Sequence, residues 1–419
     1  MTFMKRSFVH SVTRYVSTAC LPAIDFIHFS AILFLSNTKD SMKNLSILGS
    51  TGSIGINTLK VARHLKDKFR IVALAAKSNV DLLEQQAREF HPELICVYDE
   101  KMAMELKRKL PEVEVVAGLE GLQAVATHGK AEMVISAMTG TKGLAPTVAA
   151  IQAGKNVGLA NKESLVSGGE LIMSLIKKNG VHLLPIDSEH SALFQCLNGE
   201  DPKKIDRMIL TASGGPFRTW SSEQLAQISV EQALAHPTWN MGPKVTIDCS
   251  TLMNKGLEAI EAHWLFSVPM EQIEVVIHPQ SLIHSMIEFT DGSIMAQMGE
   301  PSMVVPIQYA MTYPERDQGM LPRFDFTRIH EFQFYPPDFK KFPCLGLAFE
   351  AIRQGGSLPC YMNAANEVLV NRFLNKEIGW QDISNKLEKL MNAHPLSKVD
   401  TLEDVLTIDE IAREEAKKA

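Results

Sequence analysis

Short apolar runs alternate with segments of helical spacing along the first part of the chain. The predicted strands are Leu45–Leu48, Arg70–Ala76, Leu94–Val97, Glu132–Ala137, Asn156–Ala160 and Val181–Ile186. Helices are predicted between some of them, at Asn57–Leu65 and Val80–Phe90. Strands that alternate with helices form parallel, doubly wound sheets. The pattern therefore predicts an α/β fold that begins with a Rossmann-like domain over residues 42–187.

The pattern changes in the middle of the chain. Further strands are predicted at Met208–Ala212, Val245–Ile247, Ile273–Ile277, His284–Phe289 and Ser293–Gln297. The clearest helix among them is Asn254–Phe266. We interpret residues 188–312 as an α+β catalytic domain. The proline-rich residues 313–343 show little periodicity and are predicted to be a linker.

The remaining residues, 344–419, have helical spacing almost throughout. The predicted helices are Leu345–Gln354, Asn363–Asn375, Gln381–Asn392 and Leu402–Lys418. Apolar positions on one face of each helix favour packing against the others. This part is predicted to be a C-terminal helical bundle.

Composition excludes several classes of protein. The chain has 419 residues, 45% hydrophobic and 21% charged, which is ordinary for a globular protein. Its formal charge of -6 argues against a nucleic-acid partner. The six cysteines show no CxxC spacing, so a disulfide framework or zinc site is not expected. No apolar run reaches the roughly 18 residues that a membrane span needs, so we expect no membrane partner.

Residues 1–41 differ from the rest of the chain. They contain basic residues and serines but no acid before Asp25, which is typical of a transit peptide. We favour a second interpretation, in which Met42 is the true start. Either way, we expect residues 1–41 to be disordered or loosely placed outside the fold. The expected location is the cytoplasm of a bacterial-type cell, or a plastid if the segment is a transit peptide.

A glycine-rich loop, GSTGSIG at residues 49–55, lies between a predicted strand and a predicted helix. Its glycines would let the backbone approach a pyrophosphate at the helix N-terminus. NAD-binding loops usually place an acid at the end of the second strand. Here that position holds Lys77, Ser78 and Asn79, which suit a 2′-phosphate. The loop therefore predicts NADP(H), although a solvated loop with an incidental lysine is the alternative.

Two acids follow the strand that ends near Ile186. Asp187 and Glu189 are two positions apart, so an extended chain would point them to one face. Such like charges repel unless a cation lies between them, and oxygen ligands fit Mg²⁺ or Mn²⁺. A third acid, Glu258, would share a helix face with Asn254 and lie near Lys255. Spacing alone does not choose between Glu258 and Glu261 as the third ligand, and Glu261 could instead be a solvated or ion-paired acid of that helix.

Two further segments suit an anionic substrate. Thr211–Gly215 follows a strand and is typical of a phosphate-holding turn, with Ser213 as a hydroxyl donor. His236–Gly242 contains Trp239 and is predicted to be a mobile loop with an aromatic cap. Simple core packing is the alternative role for that tryptophan.

These motifs together resemble the 1-deoxy-D-xylulose 5-phosphate reductoisomerase family. The matching segments, in order along almost the whole chain from Met42, are GSTGSIG, LANKESLVSGG (159–169), PIDSEHSALFQCL (185–197), ASGGPFR (212–218), HPTWNMGPK (236–244), LMNKGLEAIEAHWLF (252–266), IHPQSLIHSM (277–286) and NAANEV (363–368). So many motifs in one order are highly specific to the family.

The resemblance implies a role for each candidate residue. The implied metal ligands are Asp187, Glu189 and Glu258. The implied NADPH contacts are Thr51, Gly52, Ser53, Ile54, Asn161, Glu163 and Gly242. The implied contacts to the sugar phosphate substrate are Lys162, Ser188, Ser213, His236, Asn254 and Lys255. The divalent cation would be Mg²⁺ or Mn²⁺, with Co²⁺ as a further candidate, and the enzyme would be a homodimer.

The chain departs from the family pattern at two places. Lys77 and Ser78 stand where the family often has glycine and lysine. Cys249 stands where the family usually has a serine, and a thiol is a poorer phosphate donor than a hydroxyl. The neighbouring Ser250 is a candidate to compensate.

The resemblance implies conversion of 1-deoxy-D-xylulose 5-phosphate to 2-C-methyl-D-erythritol 4-phosphate in the non-mevalonate isoprenoid pathway. A retro-aldol and aldol sequence is the favoured route and an α-ketol shift the other. Two alternative functions are a metal-assisted NADP-dependent dehydrogenase without rearrangement and a non-catalytic NADP(H)-sensing protein.

The cofactor interpretation predicts the behaviour of one variant. Lys77→Glu should weaken the use of NADPH much more than that of NADH, because only NADPH carries the 2′-phosphate that the new carboxylate would repel. Initial rates measured with each cofactor in turn test this. Equal losses with both cofactors would contradict the role of Lys77.

Overall fold

The computed structural model describes residues 42–239, 241–328 and 331–419. The predicted placement of residues 1–41 therefore falls outside the described residues. The first part of the described chain contains seven strands: β1 Lys43–Leu48, β2 Phe69–Ala76, β3 Leu94–Val97, β4 Glu114–Ala117, β5 Met133–Ser136, β6 Asn156–Leu159 and β7 Leu183–Pro185. Between them lie α1 Ser53–His64, α2 Val80–Phe90, α3 Glu100–Lys109, α4 Gly118–Ala126, α5 Leu144–Gln152 and α6 Lys162–Asn179.

The seven strands form one sheet in the order β4-β3-β2-β1-β5-β6-β7. Every pairing in this sheet is parallel. Its strands are mostly buried apolar residues, as expected when helices cover both faces. The strand order reverses direction between β1 and β5, which is where open α/β sheets bind ligands. The predicted α/β class with a doubly wound first sheet is confirmed.

The middle of the chain builds a second, mixed sheet. Its elements are α7 Ser188–Cys196, β8 Ile205–Ala212, α8 Ser222–Leu225, α9 Val230–Leu234, α10 Pro243–Thr251, α11 Met253–Phe266, β9 Ile273–Ile277, β10 Ile283–Phe289, β11 Ile294–Met298 and α12 Val304–Thr312. The strand order is β11-β10-β8-β9, in which only β8 and β9 are parallel. Strand β11 lies at an edge of this sheet.

One predicted strand of this region is wrong. Val245–Ile247 lies inside helix α10, which begins with Pro243 in its first turn. Proline is well suited to that position because its missing N–H would have no helical partner there. The hydroxyl of Thr246 donates to the carbonyl of Gly242 at 3.0 Å. The short β-branched run therefore lies in a helix, where local propensity is overridden by its context.

The C-terminal part is helical, as predicted. It contains α13 Pro343–Gln354, α14 Leu358–Leu374, α15 Trp380–Ala393 and α16 Leu402–Lys418. Helix α14 contacts α13, α15 and α16, and it also contacts α6 and α10. The bundle therefore packs directly behind helices that carry predicted site residues. In the described part of the chain, no helix is long and apolar enough to cross a bilayer.

Candidate active site

A cavity of about 490 Å³ lies at the carboxyl ends of the first-sheet strands. Its wall on that side comes from the segments that follow β1, β5, β6 and β7. The opposite wall comes from the end of β8, the 236–245 segment and the first turns of α11. The glycine loop, the acid pair and the predicted phosphate turn therefore face one space.

Three carboxylates meet at one corner of this cavity. Asp187 and Glu189 lie at the start of α7, just after β7, and Glu258 faces them from α11. Oxygen atoms of the three acids lie within 4.8 Å of one another. A group of oxygen ligands at this spacing fits Mg²⁺ or Mn²⁺ better than zinc. The chain thus brings the predicted third acid to the strand-end pair.

Two lysines neutralise part of this negative charge. Lys162 Nζ lies 2.6 Å from Asp187 Oδ2 and 2.9 Å from Glu258 Oε1. Lys255 Nζ lies 2.7 Å from Glu189 Oε1 and also contacts Glu258. Both lysines were predicted to bind the sugar phosphate, and that role stays a prediction. Their ion pairs show that both lysines reach the corner formed by the three carboxylates.

Polar neighbours orient the same corner. Asn254 Nδ2 donates to Glu258 Oε1 at 2.5 Å, and Asn254 Oδ1 accepts from Lys162 Nζ at 2.8 Å. The hydroxyl of Ser188 donates to Glu189 Oε2 at 2.7 Å. These contacts fix the carboxylates before any ligand arrives, which reduces the ordering cost of binding.

Burial shifts the ionisation of these acids in different directions. Burial, reinforced by the charge of Glu258, raises the pKa of Glu189 to about 7. Burial also opposes ionisation of Asp187, but the ammonium group of Lys162 outweighs it and holds the pKa of Asp187 well below its usual range. A bound cation would favour the ionised form of every carboxylate that it contacts.

Glu261 is not the solvated acid that the sequence allowed. It is completely buried, and its Oε2 lies 3.3 Å from His190 Nδ1. The other ring nitrogen of His190 donates to the backbone carbonyl of Glu258 at 2.8 Å. Burial raises the pKa of Glu261 well above its usual range. Atoms of Asp187, His190 and Glu261 also lie close together, but neither His190 nor Glu261 lines the cavity. Of the two candidate acids on this helix, Glu258 is the one that faces the cavity, and its role as a metal ligand stays a prediction.

The predicted phosphate turn and the tryptophan loop are in contact. His236 Nδ1 accepts hydrogen bonds from the backbone N–H of Thr238 and Trp239, at 3.2 and 2.9 Å. The proton of the neutral ring therefore lies on Nε2, which is 3.0 Å from Ser213 Oγ. Burial lowers the pKa of His236, which favours this neutral form. Trp239 is half-buried and lines the cavity.

Two glycines make the phosphate turn possible. Gly214 and Gly215 adopt positive φ values of +83° and +66°, which other residues rarely adopt. A Cβ at Gly215 would also lie 2.7 Å from the carbonyl oxygen of Cys249. The turn therefore packs against α10 with no space for a side chain.

The cofactor residues divide into two groups. Gly52, Ser53 and Ile54 line the cavity at the N-terminus of α1, whereas Thr51 does not. Glu163 and Gly242 also line it. The remaining predicted contacts lie outside the cavity wall.

The loop after β2 lies outside that wall. Lys77, Ser78 and Asn79 are exposed there, and the side chain of Asn79 accepts from Leu82 N–H to cap α2. An exposed loop beside β1 is accessible to the ribose end of a long cofactor.

Asn161 has structural hydrogen bonds where the resemblance implied an NADPH contact. Its side chain accepts from Ser164 N–H at 2.9 Å, which caps α6. Its Nδ2 donates to the carbonyls of Met138 and Gly140. All of these contacts are buried, because Asn161 is 1% exposed and absent from the cavity wall. In the structure Asn161 fixes a loop and a helix start that themselves line the cavity.

The substituted position, Cys249, lines the cavity. Ser250 does not compensate for it. Ser250 is completely buried, donates to Ile247 O at 2.7 Å and accepts from Trp380 Nε1 at 2.9 Å. It therefore points into the packing between α10 and α15.

Comparison with known proteins decides the family. Three family models match the chain. The model of 1-deoxy-D-xylulose 5-phosphate reductoisomerase matches residues 45–169, and the model of the C-terminal domain of that enzyme matches residues 183–266. The model of the DXP reductoisomerase C-terminal domain matches residues 298–415. The chain belongs to the 1-deoxy-D-xylulose 5-phosphate reductoisomerase family. The predicted family and its enzymatic class are confirmed.

Relatives of the same name match over nearly their full length. The reductoisomerase of Protochlamydia amoebophila is 62% identical over 375 residues, which cover 90% of this chain and 98% of the relative. A solved reductoisomerase from Zymomonas mobilis in complex with NADPH has a TM-score of 0.86 at 42% identity, covering 90% and 99% of the two chains. A second solved reductoisomerase, in complex with NADPH, fosmidomycin and magnesium, has a TM-score of 0.86 at 40% identity, covering 90% and 98%.

Within this reductoisomerase fold, sequence reasoning missed several residues that shape the cavity. Lys244 lines it and lies 2.9 Å from Glu163 Oε1. Met303 and His284 line it too, and neither had been predicted as a site residue. Burial, helped by the charge of Lys255, lowers the pKa of His284 to about 4, which favours a neutral ring. Lys244 and His284 lie inside the motifs quoted above, so the sequence did mark their segments. It did not show which residues they contact.

The carboxylate corner predicts a contrast between neighbouring acids. The amide variants Asp187→Asn, Glu189→Gln and Glu258→Gln should each lower turnover by orders of magnitude, because each removes a ligand charge. NADPH binding, measured by fluorescence titration, should survive in all three. Glu261→Gln is the matched control and should lose less activity, since it does not face the cavity. Near wild-type turnover in Glu258→Gln together with an inactive Glu261→Gln would show that the wrong acid was chosen.

Proposed function

We propose that this cavity converts 1-deoxy-D-xylulose 5-phosphate to 2-C-methyl-D-erythritol 4-phosphate, with NADPH as reductant and a divalent cation at Asp187, Glu189 and Glu258. One observation carries the proposal. The three acids, the glycine loop and the Ser213 turn line one cavity in a chain of this family. A reductase without a metal step would not need so much buried negative charge.

The charge of the corner formed by the three carboxylates fits a divalent cation. The three carboxylates of Asp187, Glu189 and Glu258 outnumber the two ammonium groups of Lys162 and Lys255 that pair with them. Bound Mg²⁺ or Mn²⁺ supplies Lewis-acid polarisation of substrate oxygens. A cation held by the acids would weaken the ion pairs of Lys162 and Lys255. Their ammonium groups would then be available to the substrate, as the family resemblance implies.

The phosphate end of the substrate is assigned to the turn and the tryptophan loop. Ser213 offers a hydroxyl, and the Nε2–H of His236 points at that hydroxyl. Cys249 offers only a weak S–H donor. Burial raises the pKa of the Cys249 thiol, so it stays neutral beside an anionic ligand.

The cofactor end is assigned to the glycine loop and the loop after β5. Backbone N–H groups at Gly52–Ile54 lie at the N-terminus of α1, a favourable place for pyrophosphate. Ala137–Thr139 and Glu163 line the same cavity as this loop and the three acids. These residues would hold the nicotinamide on the first-sheet side of the cavity. Lys77, Ser78 and Asn79 would meet the 2′-phosphate at the outer end.

We also propose a homodimer. Edge strand β11 exposes Ile294 and Met295, 54% and 39% of whose surface is accessible. An edge strand with exposed apolar side chains is a template for pairing with another chain. A second copy would cover this edge. The cytoplasmic location stays a prediction.

A coupled assay tests the reaction. Purified protein with Mg²⁺, NADPH and 1-deoxy-D-xylulose 5-phosphate should oxidise NADPH and give a branched product by NMR. A reduced but unbranched product would instead support the dehydrogenase. NADPH binding without any oxidation would support the NADP(H)-sensing protein.

The contact of the 236–242 loop with Ser213 predicts a lid. Fosmidomycin with metal and NADPH should protect this loop from proteolysis and change tryptophan fluorescence, because closure buries Trp239. Trp239→Ala should lose most of that signal and weaken fosmidomycin binding, while NADPH affinity stays unchanged. Trp264→Phe is a control, since that side chain packs beside Gly169 and away from the cavity. Equal protection with and without ligand would identify Trp239 as core packing.

A further inference from the structure

A network of charged and polar side chains links the C-terminal helix α16 to the wall of the cavity. It begins at Arg413 on α16, whose guanidinium lies 2.5 Å from Glu367 on α14 and 2.6 Å from Asp409. Arg413 also donates to the hydroxyl of Thr141 at 3.0 Å, and that hydroxyl donates to Asp409 at 2.5 Å. One guanidinium thus connects α14, α16 and the segment after β5.

The first part of the wall that this network reaches is the segment after β5. Ala137–Thr139 line the cavity, and Gly140 and Thr141 follow directly. Gly140 has a φ of +75°, and a Cβ there would lie 2.9 Å from Glu367 Oε1. The segment therefore packs against the carboxylate that Arg413 holds, and Arg413 also holds its threonine. Displacing Arg413 would release this segment at two points.

The second part of the wall is the base of the lid. Lys244 follows the 236–242 loop and lies 2.9 Å from both Glu163 Oε1 and Asp248 Oδ2. Asp248 also accepts from Asn366 Nδ2 at 2.9 Å, and Asn366 precedes Glu367 on α14. Burial opposes the charge of Lys244, but the surrounding acids, Glu367 among them, raise its pKa and keep it charged.

We expect this network to fix the positions of the groups that it joins more than to add to the free energy of unfolding. Buried ion pairs often contribute little net stability compared with apolar packing, so packing alone does not require an arginine here. A planar guanidinium with fixed N–H directions does, however, set the relative positions of the groups that it bridges. The bridged groups here are a helix of the bundle and a segment of the cavity wall.

We propose that Arg413 is a positioning residue for the NADPH end of the cavity. It does not line the cavity and acts through Thr141 and Glu367, which hold the 137–141 segment and the surroundings of Lys244. The C-terminal helix is thereby part of the cofactor site rather than a separate packing module. The expected effects on KM and kcat rest on the proposed function, whereas the expected effect on the Kd for NADPH does not.

NADPH binding to the full chain, followed by fluorescence titration, is the direct test. Arg413→Met should raise the Kd and the KM for NADPH on the order of tenfold, because a displaced wall misplaces the bound cofactor. The kcat at saturating NADPH should fall much less. Arg413→Lys keeps the charge but loses the fork, and should fall between Arg413→Met and the wild type. Thr141→Val removes only the link on the wall side and tests the inference even if Arg413→Met folds poorly.

Arg372 provides a matched control. It lies on α14 and donates to the carbonyls of Ala416 on α16 and of Ala419 just after that helix, at 2.9 and 2.7 Å, away from the cavity. Arg372→Met should lower the melting temperature and leave the NADPH Kd unchanged. An unchanged Kd in both Arg413→Met and Thr141→Val, or an equal rise in Arg372→Met, would overturn the proposal. If the wild type bound NADPH but did not turn over substrate, the proposed function would fail while the binding comparison still held.

Discussion

The structure depends on a group of acids that it buries at the junction of its two sheets. Asp187 and Glu189 come from the end of the first sheet, and Glu258 comes from a helix that packs against the second. Burying like charges together is costly unless cations compensate them. Lys162 and Lys255 supply part of that compensation, each from a helix that also frames the cavity. The junction is therefore held by charge as well as by apolar packing, and a bound cation would strengthen it.

Much of the fold could be predicted because its periodicity is regular. Val80–Phe90, Leu94–Val97 and Leu402–Lys418 have the predicted bounds. The strand predicted at Val245–Ile247 failed because three β-branched and apolar residues carry no information about period. Helix α14 begins at Leu358 rather than Asn363, since Pro359 is tolerated in a first helical turn. The proposed domain boundaries stay predictions.

The site was predictable as a set of residues but not as a geometry. Asp187 and Glu189 do lie close together, but at the start of helix α7 and not on one face of an extended chain as predicted. Spacing also did not separate Glu258 from Glu261. That choice depends on how α11 is rotated against α7, which only tertiary packing fixes. Asn79 and Asn161 show the opposite case. Both precede helices and act as caps, a local signal that was readable in the sequence but was not used, and their cofactor contacts stay predictions.

The cysteine in the substrate cavity has a consequence for chemical selectivity. Cys249 replaces the serine that is usual in the family, and burial suppresses its thiolate, so ordinary oxidants and alkylating agents react with it slowly. A ligand that already occupies the cavity would hold a mild electrophile beside this sulfur at high effective concentration. Relatives with serine there would offer such a compound no comparable nucleophile. Where a relative has serine at this position, covalent inhibition would therefore distinguish this protein from that relative.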